Sequence, residues 1–299
     1  MLAGDNKILR SLILAGGLLM LPCAHGAERT VATWCEFDLP PMYIPADKGI
    51  GTGIVDTHVA FLMNKLPEYE HRVQLSNIAR VVEQMRRHEQ IVCAGMQKNE
   101  ERESIMLFSE PFTTTAPPKV LLPRRLLDRM RPHLNSAGEV RLSETIEKGT
   151  LVLGLTAGRS YGRKVDDQLA HFAGHSNIVI RQASQDLAEG VARMIAMGRV
   201  DYTIGFTGEQ RVLRDAASIP GAENELVALP IEGLPRYVPI YIVAPRDEWG
   251  LGIITRVNVL LRRHWLDPEF RKSLLQGQDA AARQATETAL KEINPNNRR

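Results

Sequence analysis

Short β-branched apolar runs alternate along this chain with stretches whose apolar residues recur every three or four positions. Arg29 to Cys35 is a first strand by this pattern, and Val55, Val59, Leu62, Met63 and Leu66 form a helical stripe that Pro67 ends. Val73–Leu75 reads as a second strand, Val81–Arg87 as a short helix and Gln90–Ala94 as a third strand. Strand, helix, strand, helix, strand predicts a parallel sheet with right-handed crossovers. Glu100–Ser104 is a short charged helical piece, and the apolar run Ile105–Phe108 leads into Ser109-Glu110-Pro111-Phe112.

The pattern then repeats. Thr113 to Pro118 is extended, Lys119–Leu122 is a strand, and Leu151–Leu155 is a buried strand that turns through Thr156–Gly162 into a helix reaching about Phe172. Ile178–Ile180, the Tyr202 region, Leu226–Pro230 and Tyr237–Pro245 are further strands. Leu187, Val191, Met194 and Ile195 share one face of a helix expected over Gln185–Gly198. Ile253–Trp265 is an amphipathic helix, Gln276–Ile293 is helix-prone, and Asn294–Arg299 is expected to fray.

Composition narrows the class. The chain has 299 residues, a formal net charge of +2 and 44% apolar content, which suits a folded body of one large domain or two lobes of ordinary size and gives no reason to expect nucleic acid as a partner. Lys7 and Arg10 precede the apolar stretch Ser11–Leu21, and Ala24-His25-Gly26 has the form of a cleavage site, so residues 1–26 are expected to be a signal peptide. A lipid-anchored reading would use Cys23, but Pro22 stands where a small residue is wanted. Export leaves Cys35 and Cys93 as an even pair in an oxidising compartment. Each ends a predicted strand, so they are either bridged or two separate small core residues.

Several candidate motifs fall away. Gly49, Gly51 and Gly53 lie close together but lack the Lys-Ser/Thr ending of a phosphate loop and follow no strand directly. His171 and His175 have ligand spacing, yet Gly174 sits at the expected helix end and no third ligand is near, so no metal is expected. Arg124, Arg125, Arg129 and Arg131 read as a solvated helix face. No Ser-His-Asp order, Cys-His dyad or zinc spacing argues for hydrolysis.

The stretch Cys93–Phe112 carries the strongest chemistry. A glycine at a strand end, Gly95, permits close approach to the backbone, and the planar fork of Arg102 fits a carboxylate. The pattern A-G-M-x-x-x-x-E-R-E, an apolar run and F-S-x-P-F resembles periplasmic solute-binding proteins of the amino-acid-binding type, family 3 of the extracellular solute-binding proteins. That resemblance implies an α/β, two-lobed type II periplasmic-binding fold with two hinge crossings and a ligand cleft between the lobes. It implies lobe one over 27–114, lobe two over 115–242, and a return to lobe one, with closing helices and tail, over 243–299. It implies a ligand site built from Arg102, Gly95, Gln97, Phe37, Tyr43, Gly158, Arg159, Ser160 and Phe206. In such proteins the arginine and the N–H groups of the Gly158–Ser160 turn hold a ligand carboxylate, and the aromatics of the proline loop cover the ligand. The strand at Gly198–Phe206 departs from the family, since Gly205 and Phe206 stand where an aspartate often pairs with the ligand ammonium.

The expected function is therefore capture of a small carboxylate-bearing solute, amino-acid-like or an organic acid, by a periplasmic monomer serving an inner-membrane ABC-type transporter. No cofactor is expected. Two other uses of the fold stay open: a sensory partner of a membrane receptor, and a lyase acting on cyclic carboxylates. Glu36, Asp38 and Glu101 are the carboxylates that a lyase reading would place near the cleft.

Overall fold

A computed structural model of the chain describes residues 29–182, 189–206, 209, 213, 215, 225–275 and 280–297. The expected signal segment 1–26 and the start of the helices expected from Gln185 and from Gln276 lie outside the described residues.

The first lobe begins with β1 (Thr30–Glu36), α1 (Ile54–Asn64), β2 (Tyr69–Leu75), α2 (Ile78–Arg86) and β3 (Ile91–Met96). These strands are parallel, with β1 between the other two. α2 starts earlier than the apolar stripe suggests, because the Asn77 side chain accepts from the Arg80 N–H at 2.9 Å and caps it. The register sets Trp34 opposite Val92, which brings Cys35 beside Cys93 with 5.1 Å between their Cα atoms, and the two are joined by a disulfide.

α3 (Glu100–Ile105), β4 (Met106–Phe108) and β5 (Thr113–Thr115) follow. The chain then builds the second lobe from β6 (Lys119–Pro123), α4 (Leu127–Met130), α5 (Leu142–Lys148), β7 (Leu153–Thr156), α6 (Arg163–Ala170), β8 (Ile178–Arg181), α7 (Glu189–Ala196), β9 (Tyr202–Gly205) and β10 (Leu226–Pro230). Its sheet has the order β10-β6-β9-β7-β8. Alternation along β6 explains its two apolar faces: Val120 and Leu122 enter one core with Leu153 and Tyr202, and Leu121 enters the other with Val191 and Ile195.

β11 (Val238–Pro245) returns antiparallel to β3, β4 and β5, giving the first sheet the path β2-β1-β3-β11-β4 with β5 also on β11. β5 and β11 pair side by side, Thr115 with Val238 and Thr113 with Ile240, next to where each strand meets the second lobe. α8 (Glu248–His264), α9 (Pro268–Leu275) and α10 (Ala280–Glu292) complete the chain, and the core of the first lobe gathers Trp34, Phe112, Trp265 and Phe270. The tail differs from the frayed end expected of it. Pro295 is buried and the Asn296 side-chain amide donates to the Arg262 carbonyl at 3.0 Å, so residues up to 297 are tied to α8.

The basic cluster is paired within the lobe. Arg124 meets Glu225 at 3.2 Å, Arg129 meets Asp201 at 3.7 Å and Arg131 meets Asp128 at 3.0 Å. The glycine run before α1 serves packing. A Cβ on Gly51 would lie 2.1 Å from the Ile44 carbonyl oxygen, and one on Gly53 would lie 2.5 Å from that of Met42. These glycines let the proline–aromatic loop lie against the start of α1, where Asp56 Oδ2 accepts from Gly53 and Ile44 N–H at 2.7 and 2.9 Å. Among the described residues no helix is long and apolar enough to cross a membrane.

Candidate ligand cleft

A cavity of about 1130 Å³ lies between the lobes. The first lobe contributes Phe37, Tyr43, Gly95, Gln97 and Arg102, the paired hinge strands contribute Thr113–Thr115, and the second lobe contributes Arg159, Ser160, Phe206 and Glu209. Every ligand residue assigned from the sequence is on this wall except Gly158, whose carbonyl accepts from the cavity residue Arg102.

The proline–aromatic loop forms one end. Phe37 packs edge-on against Tyr43 with ring centroids 5.3 Å apart, and both are buried. The Tyr43 hydroxyl donates to the Ala94 carbonyl at 2.6 Å, and a Cβ on Gly95 (φ +77°) would lie 3.2 Å from that hydroxyl. The glycine at the strand end therefore makes room for the protein's own tyrosine.

Arg102 is 5% exposed. Asn99 caps α3 by accepting from the Arg102 N–H, and the arginine side chain turns back over the strand end. Nη1 donates to the Gln97 carbonyl at 3.0 Å and Nη2 crosses to the Gly158 carbonyl of the second lobe at 3.1 Å. Burial pulls its pKa down to about 10, opposed by the carboxylates of Asp166 and Glu101, while Arg159 acts in the same direction as burial. The guanidinium remains charged at neutral pH.

The turn after β7 carries Gly158 at φ +70° and Gly162 at φ +93°. Its donors are largely engaged inside the lobe. Arg159 N–H donates to the Thr156 carbonyl at 3.2 Å, Tyr161 N–H to Asp166 Oδ1 at 2.8 Å, and the Ser160 hydroxyl to Asp166 Oδ2 at 2.5 Å.

Glu209 is the main residue that sequence reasoning missed. It is 3% exposed and forms an ion pair with Arg159, whose guanidinium also lies over the rings of Tyr161 and Phe206 at 5.4 and 5.7 Å. Burial alone lowers the Arg159 pKa, but the Glu209 carboxylate and the Tyr161 hydroxyl together outweigh it and the net shift is upward. The clue in the sequence was the missing acid at Phe206, since a carboxylate at Glu209, just beyond, enters the same region. Gln97 and Glu209 both line the cavity, and Gln97 Oε1 and Glu209 Oε2 are buried with no hydrogen-bond partner among the described residues. Two wall residues that each carry an unpaired buried acceptor suit a solute that brings hydrogen-bond donors.

The other end is walled by α1, α9 and α10, through His58, Leu274 and Ala289 among others. His58 is 1% exposed and its Nδ1 donates to the Ile54 carbonyl at 2.7 Å, which leaves Nε2 as the unprotonated nitrogen. Burial pulls its pKa down to about 4.

The acid–base candidates read from the sequence are displaced by these positions. Glu36 accepts from Gly51 N–H at 2.6 Å, with its pKa raised by burial, and holds the loop. Asp38 is exposed, and Glu101 pairs with Arg86 at 2.6 Å on the surface. None of the three lines the cavity, whose carboxylates among the described residues are Glu209, Asp215 and Glu292.

No protein-family model matches the chain, and no curated protein matches it in sequence. Solved structures match its fold. An ancestral arginine-binding protein bound to glutamine is 16% identical with a TM-score of 0.59, over 83% of this chain and 97% of that one. The substrate-binding protein of an amino acid ABC transporter is 11% identical with a TM-score of 0.58, over 83% and 98%. The ancestral amino-acid-binding protein AncCDT-1, a precursor of cyclohexadienyl dehydratase, is 16% identical with a TM-score of 0.56, over 82% and 93%. The chain has the two-lobed fold of the periplasmic binding proteins. At these identities the likeness is one of fold.

Proposed function

We propose that this protein is a periplasmic solute-binding protein that captures a small amino-acid-like solute between its lobes and presents it to an inner-membrane ABC-type transporter. The observation that carries this reading is the interlobe cavity with buried, unpaired acceptors on both walls, Gln97 Oε1 from one lobe and Glu209 Oε2 from the other. A solute ammonium or amide placed between them satisfies both lobes at once and so favours closure. Arg102 is a buried cation on the cavity wall for a solute's anionic end, and Phe37, Tyr43 and Phe206 give the apolar contact. The lobes are read as 27–114 with 243–299, and 115–242, with the hinge motion at the β5–β11 pair. Cleavage after Gly26 would release the mature chain at Ala27, to be checked by N-terminal sequencing.

A thermal-shift screen against amino acids, organic acids and polyamines tests the reading. A true solute at 100 times its Kd adds about 2.7 kcal/mol of stability. The solute recovered unchanged supports a binding role, whereas turnover of a cyclic carboxylate would make the protein a lyase. No shift with any of these classes would remove the assignment. Service to a transporter or to a membrane receptor uses the same cleft, and co-purification with the membrane partner separates them.

A further inference from the structure

The carboxylate of Asp166 bridges the two lobes. On its own side it accepts from the Ser160 hydroxyl at 2.5 Å and from the Tyr161 N–H at 2.8 Å. From the opposite lobe the Asn99 side-chain amide donates to Oδ2 at 3.0 Å. Asn99 cannot turn its amide over without loss, because its Oδ1 accepts the Arg102 N–H at 2.9 Å as the cap of α3. The guanidinium of Arg102 lies close enough to feel the Asp166 charge, and the same guanidinium spans the lobes to Gly158. A carboxylate with donors from both lobes is held as a bound anion would be, yet this one belongs to the chain.

We propose that Asp166 is a built-in anion clasp beside the cavity wall at Ser160, holding Asn99 of one lobe against the Ser160–Tyr161 turn of the other. It draws the lobes together before any solute arrives, and it disfavours solutes that would set their own carboxylate between Asn99 and the Ser160–Tyr161 turn. Other contacts cross nearby, the ion pairs of Arg163 with Glu103 and, at 3.6 Å, with Glu100. Both use Arg163, whose side chain is about half exposed, and are screened by solvent. The Asp166 bonds are charge-assisted and half-buried, and together with the Arg102–Gly158 bond they form the latch. The selectivity follows from occupancy: Ser160 has one hydroxyl proton, and Asp166 already accepts it.

The inference concerns the same cleft as the function proposed above, but its test needs no solute, so either can fail without the other. Small-angle scattering of the solute-free protein gives the radius of gyration of wild type, Asp166→Ala and Asn99→Asp. The second variant keeps a capping oxygen for α3 but replaces the bridging donor with a carboxylate facing Asp166. Both variants are expected to expand relative to wild type with unchanged circular dichroism. Acetate at tens of millimolar is expected to contract Asp166→Ala back towards wild type, by refilling the vacated position, and to leave wild type and Asn99→Asp unchanged. Sodium chloride at equal ionic strength is expected to do nothing. Folded variants as compact as wild type would overturn the proposal. So would an expanded Asp166→Ala that ignores acetate, or one that contracts equally with chloride.

Discussion

Arg159 and Glu209 form an ion pair on the cleft wall in which neither side chain is more than 9% exposed. Breaking one partner leaves the other charge buried and unpaid by solvent, which typically costs about 3–5 kcal/mol, whereas replacing both with apolar groups of similar size is often tolerated. Glu209→Gln is therefore expected to lower unfolding stability in urea by about that amount. The double change Arg159→Met with Glu209→Leu is expected to fold more stably than Glu209→Gln alone. A double variant no better than the single one would mean that the pair is not the reason for the loss.

Arg102 contributes to the cleft differently, because its partners are main-chain carbonyls from both lobes. Truncating a buried charged donor at an interface costs about 2–5 kcal/mol. Arg102→Ala is expected to weaken binding of the solute found in the screen by that range. Arg102→Lys is expected to restore only part, since an ammonium cannot reach both carbonyls with a fixed fork. Calorimetry on folded variants checks this, and wild-type affinity in Arg102→Ala would place the anchor elsewhere.

His58 gives a pH dependence with a definite sign. Its pKa falls from 6.5 to about 4 on burial, so the folded state holds it neutral while the unfolded chain takes up a proton. Its contribution is present above pH 6.5 and is lost as pH falls towards 4, about 2 kcal/mol between pH 7 and pH 4.5. Glu36 and Asp56 shift upward instead and favour folding more at low pH, so the histidine must be isolated by comparison. Urea unfolding of wild type and His58→Gln at both pH values is expected to show a smaller acid loss in the variant. Equal losses would assign the acid sensitivity to other groups.

The disulfide joins residues separated by 58 positions. Closing a loop of that length in the unfolded chain stabilises the fold by about 4 kcal/mol in the entropic model. Cys35→Ala with Cys93→Ala is expected to lose stability of that order while keeping the sheet register, as read by urea midpoint and circular dichroism. Stability equal to wild type would show that the bridge adds nothing to the fold.

Local pattern carried most of the architecture. The parallel β1–β3 unit, the strands of the second lobe and α8 follow from period-two and period-3.6 hydrophobicity in stretches long enough to show it. The misses have local causes. β2 begins at Tyr69 rather than Val73 because its first residues alternate with charged ones, and α2 begins at Ile78 because the cap at Asn77 lies outside the apolar stripe. The tail is held at Asn296 by a hydrogen bond to a helix thirty-odd residues earlier, which no local signal announces.

The sequence by itself determined which side chains could do chemistry at the strand ends: Arg102 after Gly95, the aromatics of the proline loop, and the glycine–serine turn after β7. Each is set by residue type and by distance from a strand terminus, and both are one-dimensional facts. Only the tertiary structure decided how those groups are used. Arg102 meets Gly158, Asn99 meets Asp166 and Arg159 meets Glu209 across sequence separations of 56, 67 and 50 residues. Hydrogen bonds act over about 3 Å, so the partner of each polar group is fixed by where the packing of two sheets and the hinge between them brings the chain, and not by its neighbours in sequence.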